Sequence, residues 1–594
     1  MRPIHYTITP SDPHAHLFDV RLRIAEPQPE GQLLRLPVWI PGSYMIREFA
    51  RHLEGVAATV AGRAVSIVKV NKNTWRCGKL PDGAAEALEV SYRVYAWDLS
   101  VRAAHLDASH GFFNGTSVFL AVAGRQAQAC SVDILPPAGD AYARWRVATT
   151  LPAAKGKAGA RRMGFGRYEA SDYDELIDHP VEMGNFELAT FEVGGCRHEI
   201  VVTGRTDVDL DRLARDLKPV CREQIALFEP KQRRAPVERY LFMTMAVGDG
   251  YGGLEHRAST ALLCSRGALP HRDMKGVPEA YQTFLGLASH EYFHTWNVKR
   301  IKPARFDPYD LQQETYTSLL WVFEGFTSYY DDLMLARAGI FGTDAYLRSL
   351  QRAIRSVQAG AGRRLQSVAE SSFDAWIKYY RQDENSPNAV VSYYVKGALV
   401  ALCLDLTIRA QTRSRRSLDD VMRLLWQRYG SGGRGLGEDE FPGLLQEATG
   451  LDLSREIARW AYGTTELPLA DCLKPFGVTV GRESTGESIS WLGARTMVQH
   501  SEVVIQHAQR DGPAARAGLS AGDRLVAVDG LRCDEATLKA TLSRRKPGSA
   551  IRMHAFRRDE LIEATVILGA PPPLITLTAD GRNARRSAWL GERA

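Results

Sequence analysis

The chain has 594 residues, 45% hydrophobic and 24% charged, the composition of a soluble globular protein. It is too long for one core and should divide into three or four domains. Its 75 basic and 69 acidic residues leave a net charge of only +6, which excludes the charge signature of a nucleic-acid binder.

The N-terminal residues lack an apolar signal core, and no uninterrupted apolar run reaches membrane-spanning length, so the expectation is a cytoplasmic protein without a membrane partner. Eight cysteines show no Cys-x-x-Cys pairing. Cys264 and Cys403 fall in apolar runs, as reduced, buried thiols do.

Residues 1–170 alternate in strand fashion. His16-Leu-Phe-Asp-Val-Arg-Leu-Arg-Ile24, Leu33-Leu-Arg-Leu-Pro-Val-Trp-Ile40 and Leu88-Glu-Val-Ser-Tyr-Arg-Val-Tyr95 predict strands, with turn clusters such as Pro81-Asp-Gly83 between them. This predicts an antiparallel β-rich domain, whose default role is to support an active-site cleft. Residues 171–475 begin as mixed strand and helix and become helical, with periodic runs from Lys396 and from Leu418. Gly430-Ser-Gly-Gly-Arg-Gly-Leu-Gly437 lacks a following Lys-Ser/Thr, so it is a loop and not a phosphate cradle. Residues 480–572 form a further small domain, and residues 573–594 a poorly ordered tail.

The chemistry concentrates in His290-Glu-Tyr-Phe-His294. On a helix, two histidines four apart share one face and can reach one tetrahedral metal, while Glu291 is rotated towards the open coordination position. Pro278 precedes the run and Pro303 follows it, as start and stop signals. A catalytic zinc keeps three protein ligands and one water. The stretch from Glu314 to Tyr330 predicts a second apolar helix, in which Glu324 stands between Phe323 and Phe326. A carboxylate among aromatics needs a partner or a metal, so Glu324 is the candidate third ligand. A salt-bridged or exposed glutamate is the competing reading.

These phrases, with Trp39-Ile-Pro-Gly-Ser-Tyr44, Gly252-Gly-Leu-Glu-His256, the continuation to Lys302-Pro303 and Trp321-Val-Phe-Glu-Gly-Phe-Thr-Ser-Tyr-Tyr330, resemble the glycyl aminopeptidase family of gluzincin zinc peptidases. The resemblance covers nearly the whole chain. The His294-to-Glu324 interval is longer than in alanyl and leucyl aminopeptidases, which favours the glycyl branch. It implies a thermolysin-like catalytic domain at residues 171–475 and a PDZ domain at residues 480–572, carried by Gly512-Pro-Ala-Ala-Arg-Ala-Gly-Leu-Ser-Ala-Gly-Asp523. Trp491-Leu-Gly493 is the candidate carboxylate loop of that domain.

The resemblance also implies Glu255 as the anchor for a substrate's free amine, although leucine and His256 stand where related chains carry methionine and asparagine. Gly252 and Gly253 let a peptide backbone approach. Tyr394 is implied as the oxyanion donor, with its neighbour Tyr393 as the alternative. Trp296 and Tyr329 are expected to pack around the ligands without catalytic roles.

The expectation is a multidomain α+β zinc aminopeptidase, one ion per chain, removing N-terminal glycine or alanine from peptides. Its metal is held by His290, His294 and Glu324, and Glu291 is its general base. The competing readings are a PDZ-assisted endopeptidase that recruits peptide C-termini and a peptide-binding scaffold without catalysis.

Overall fold

The computed structural model describes residues 3–80, 86–483 and 490–592; the turn at Pro81-Asp-Gly83 lies outside them. The chain is multidomain α+β and forms two compact units. One comprises Met1–Thr315, Tyr330–Ile340 and Met422–Gly437, and the other Tyr316–Tyr329, Phe341–Val421 and Glu438–Ala594.

In the first unit the N-terminal region is β-rich. Strands Leu17–Ile24 and Leu88–Tyr95 bury alternate residues, as period-two patterning requires. They are neighbours in a seven-stranded sheet. Leu33–Arg35 stops short of the expected Ile40, because Pro37 cannot continue a ladder. Two four-stranded sheets complete the region. One includes Val181–Gly184, so this β-rich part reaches beyond residue 170.

A five-stranded sheet follows, in the order Glu187–Val193, Cys196–Thr203, Arg239–Val247, Ser259–Ser265, Tyr251–Glu255. The last of these is an edge strand, antiparallel to Ser259–Ser265. Helix α1 (Glu279–Phe293) has Pro278 at its N-cap, and His294 is its C-cap residue.

Helix α2 (Leu320–Arg337) begins in the second unit and ends in the first. It starts six residues later than the sequence predicts. Glu438 accepts hydrogen bonds from the Thr317 and Ser318 hydroxyls and the Ser318 amide, which holds the preceding segment out of the helix. Helix α3 (Val395–Thr412) packs on α2 through Gly325 and Gly397. A Cβ at Gly325 would lie 2.7 Å from the Gly397 Cα.

The second unit also contains a six-stranded sheet with its own core around Leu492, Val503, Leu519, Leu525 and Met553. There Trp491 is occupied: its amide donates to the Gly569 carbonyl at 2.8 Å and its carbonyl accepts the Gly569 amide. Leu492 is buried beside it. The carboxylate loop expected at Trp491-Leu-Gly493 is therefore not formed by that amide.

The segment expected as a poorly ordered tail is structured instead. Leu574–Ala579 pairs with Val478–Glu483, and Ala584–Leu590 is a helix whose Trp589 is buried. Burial of that indole outweighs the freedom a terminus would otherwise keep. All eight cysteines are free. Among the described residues no helix is long and apolar enough to cross a membrane.

Candidate active site

Within the first unit, α1 carries His290, Glu291 and His294. The two imidazole centroids are 4.7 Å apart at 85°. His294 Nδ1 meets the Asn297 carbonyl at 2.8 Å, and His290 Nδ1 lies 3.4 Å from Asp331 Oδ2. Both contacts orient the ring so that Nε2 is the nitrogen able to face a metal, the usual support for ligating histidines.

The helix is anchored from behind. Gln224 donates to the Ser289 carbonyl and Ser289 to the Asp331 carbonyl, at 2.9 and 2.8 Å. His198, pushed down to about 4 by burial, meets the Tyr292 hydroxyl at 2.9 Å as a neutral ring. Trp296 is buried and stacks on Phe228 at 4.9 Å.

Glu291 is buried and faces the edge strand. A Cβ at Gly253 would lie 2.0 Å from Glu291 Oε1, so only glycine leaves room for the carboxylate there. Gly252, the next residue along, is open enough that a Cβ would meet only Arg102 Nη1, at 3.5 Å. Arg102 also donates to the Gly253 carbonyl at 3.3 Å.

Glu255, at the end of the strand, is 3% exposed, and its Oε1 has no hydrogen-bond partner among the described residues. Its other wall is the loop at residues 39–44: a Cβ at Gly42 would lie 2.3 Å from Glu255 Oε2, and Gly42 has φ of +92°. Glu255, Glu291 and His294 each present a ligand-type atom within 4.8 Å of the others. A buried carboxylate with an unmet acceptor calls for a cationic donor.

Next to Glu255, His256 and Lys299 converge on Asp178, at 3.5 and 2.6 Å. Burial alone would raise the Asp178 carboxyl, but Lys299 and Arg257 hold it well below the ordinary aspartate range.

Within the second unit, Glu324 is buried on α2 between Phe323 and Phe326. Tyr393 is fully buried, and its ionisation is pushed far upward by burial first, then by Tyr380 and Glu324. Tyr394 is only half-buried and shares a hydrogen bond of 3.0 Å with the Tyr380 hydroxyl. Tyr329 donates to Asp405 at 2.6 Å, in a packing role. On α2, Asp331 stands two turns after Glu324 and thus on the same face.

The first unit thus brings His290, Glu291, His294, Glu255, Gly252 and Gly253 together, and the second brings Glu324 near Tyr393. Sequence reasoning missed Asp331, Gly42, Arg102, Asp178 and Tyr380. Only Asp331 had a readable signal, its helical spacing from Glu324.

Residues 5–185 match the peptidase M61 N-terminal domain, residues 283–400 the M61 glycyl aminopeptidase and residues 490–568 a PDZ domain. The crystal structure of an aminopeptidase N family protein from Idiomarina loihiensis is 40% identical, with a TM-score of 0.93, covering 99% of this chain and 100% of that one. An M1 zinc metallopeptidase from Deinococcus radiodurans is 14% identical, with a TM-score of 0.48 over 79% of this chain and 96% of that one. The regulator of sigma-E protease RseP of Escherichia coli (strain K12) is 31% identical over 86 residues, which are 14% of this chain. The chain spans only 19% of that relative's length. On the family matches and the full-length structural likeness, the chain belongs to the M61 glycyl aminopeptidase family and is a zinc metallopeptidase.

Proposed function

We propose that this zinc aminopeptidase removes N-terminal glycine or alanine from peptides, with one catalytic ion held by His290, His294 and Glu324. Two imidazoles and a carboxylate are the donor set of a hydrolytic zinc. The contacts at His290 and His294 Nδ1 suit that role, and α2 carries Glu324 on the face that presents Asp331 to His290. When bound, zinc lowers the pKa of a water and polarises the scissile carbonyl.

The chain's own residues do the rest. Glu291 takes the proton of the attacking water and passes it to the leaving amine. Tyr394, half-buried and so reachable, donates to the developing oxyanion. The edge strand at Gly252 and Gly253 offers backbone groups along which an extended peptide can lie.

The observation that carries the exopeptidase reading is Glu255. Its buried, incompletely satisfied carboxylate stands beside Glu291 and His294 and would pair with a substrate's α-ammonium. The preference for glycine rests on the family's description, and alanine is included as the next smallest side chain. We further propose that the PDZ domain receives peptide C-termini, and that the protein works in the cytoplasm, where eight free cysteines stay reduced.

The test compares glycyl and alanyl anilides with their N-acetylated forms, with and without a zinc chelator. Chelator-sensitive cleavage of free-amine substrates alone is expected. Equal cleavage of the acetylated forms would remove the aminopeptidase reading.

A further inference from the structure

A second cluster of metal-ligating side chains lies in the N-terminal β-rich region. Its four-stranded sheet places Val181–Gly184, His110–Phe113 and Ala104–Leu106 side by side. Phe112 stands opposite Glu182 on one flank and opposite His105 on the other. Residues directly opposite share a face and strand residues two apart return to it, so His105, His110 and Glu182 project from the same face. Asp107, in the turn after Leu106, joins them.

The two histidine rings stack at 4.9 Å. His105, Asp107 and His110 each offer a ligand atom within 4.8 Å of the others. His105 is 5% exposed and His110 2%.

Each ring has one nitrogen beside a carboxylate. His110 Nδ1 lies 3.2 Å from Glu182 Oε1, and His105 Nε2 lies 3.3 Å from Asp107 Oδ2. The other nitrogen of each, His105 Nδ1 and His110 Nε2, is buried without a hydrogen-bond partner among the described residues. Asp107 Oδ1 is committed to the Ser109 amide and hydroxyl and to the His110 amide, which leaves Oδ2 for the cluster. A cavity of about 20 Å³, lined by His105, His110 and Glu182 on one side and by apolar side chains such as Phe112, Met243 and Leu262 on the other, adjoins the cluster, room for a single small occupant.

We propose that His105, Asp107 and His110 bind a second divalent metal ion of the zinc class, with Glu182 orienting His110 from behind. Two imidazoles and one carboxylate suit zinc. The Glu182 contact is the carboxylate–histidine–metal arrangement that fixes a ligating ring. Glu182 is itself held by the Thr203 hydroxyl at 3.0 Å. Such an ion would tie neighbouring strands of one sheet, away from the peptidase residues in sequence and on different elements.

The test uses the full chain with His290→Ala and His294→Ala, so that the outcome does not depend on the catalytic reading. After chelation and dialysis, titration with Zn2+ followed by calorimetry and metal analysis should give one bound equivalent. Adding His110→Gln should abolish it, and adding Glu182→Gln should weaken it roughly 10- to 100-fold, the usual effect of losing an orienting partner. Absence of stoichiometric binding in the double alanine variant would overturn the proposal and assign the cavity to water. Undiminished binding after His110→Gln would overturn it equally. Should His110→Gln fail to fold by circular dichroism, His105→Asn and Glu182→Gln decide, and unchanged affinity in both is the refuting result.

Discussion

Replacing Gly42 by alanine tests the proposed amine pocket without touching any residue assigned to catalysis. Two effects separate. Gly42 has φ of +92°, so any L-residue there is strained by about 1–2 kcal/mol. The added Cβ would also lie 2.3 Å from Glu255 Oε2 and 2.6 Å from its Cδ. Ordinary van der Waals separation requires the carboxylate to retreat by roughly 1 Å. A misplacement of about 1 Å at a positioning group costs on the order of 100-fold in rate, or about 2.7 kcal/mol of transition-state stabilisation. Gly55 supplies the control: it too has positive φ, +61°, but a Cβ there meets nothing within 4 Å. Gly55→Ala should therefore share the stability loss and keep its activity. The assay is kcat/KM on a glycyl anilide, with thermal unfolding of both variants. If Gly42→Ala stays within twofold of Gly55→Ala, the loop does not shape the pocket and the placement of the amine at Glu255 loses its support.

Asp331→Ala should weaken zinc binding roughly 10- to 100-fold by releasing the His290 ring; competition with a chelating dye reads this, and unchanged affinity would exclude an orienting role. Asp178→Asn leaves Lys299, 2% exposed, without its carboxylate and should cost about 3–5 kcal/mol near neutral pH. Because the Asp178 carboxyl is held below the ordinary aspartate range, its contribution is complete above about pH 4 and is lost as pH falls further. The stability gap between wild type and Asp178→Asn should accordingly narrow on acidification, and denaturant unfolding that showed a constant gap down to pH 2 would contradict the pairing. Trp589→Ala should destabilise the second unit by about 3–5 kcal/mol, since the indole is buried and donates to Tyr329 at 2.9 Å; unfolding at the wild-type denaturant concentration would refute docking of the C-terminal helix.

What could be read from sequence was what local periodicity encodes. Leu88–Tyr95 forms the strand its alternation predicts, and the four-residue spacing of His290 and His294 becomes two rings 4.7 Å apart. Long-range closure escaped. Nothing in Trp39-Ile-Pro-Gly-Ser-Tyr44 says that Gly42 will press on a carboxylate more than two hundred residues away. Nothing in Gly252-Gly253 says that one glycine makes room for Glu291 and the other does not need to. The start of α2 also escaped, because the segment before it is held by Glu438, far along the chain. The expectation of a loose C-terminus failed because Trp589 and the strand Leu574–Ala579 find partners made by earlier residues.

Helix α2 shows why the legible and illegible parts meet at one element. Its sequence presents an apolar cylinder with two carboxylates, Glu324 and Asp331, on one face. A cylinder of that kind has no register of its own, and a slip of one residue would turn each carboxylate by about 100° and shift it about 1.5 Å along the axis. The register is fixed from outside by contacts that tolerate no slip. Gly325 and Gly397 bring α2 and α3 to backbone contact, the Tyr329 hydroxyl is tied to Asp405, and Glu438 holds the segment before the first turn. Both glycines are needed because a Cβ on either would lie under 3 Å from the other's Cα. The position of Glu324, proposed above as a metal ligand, therefore depends as much on where α2 has no side chain as on the carboxylate it carries.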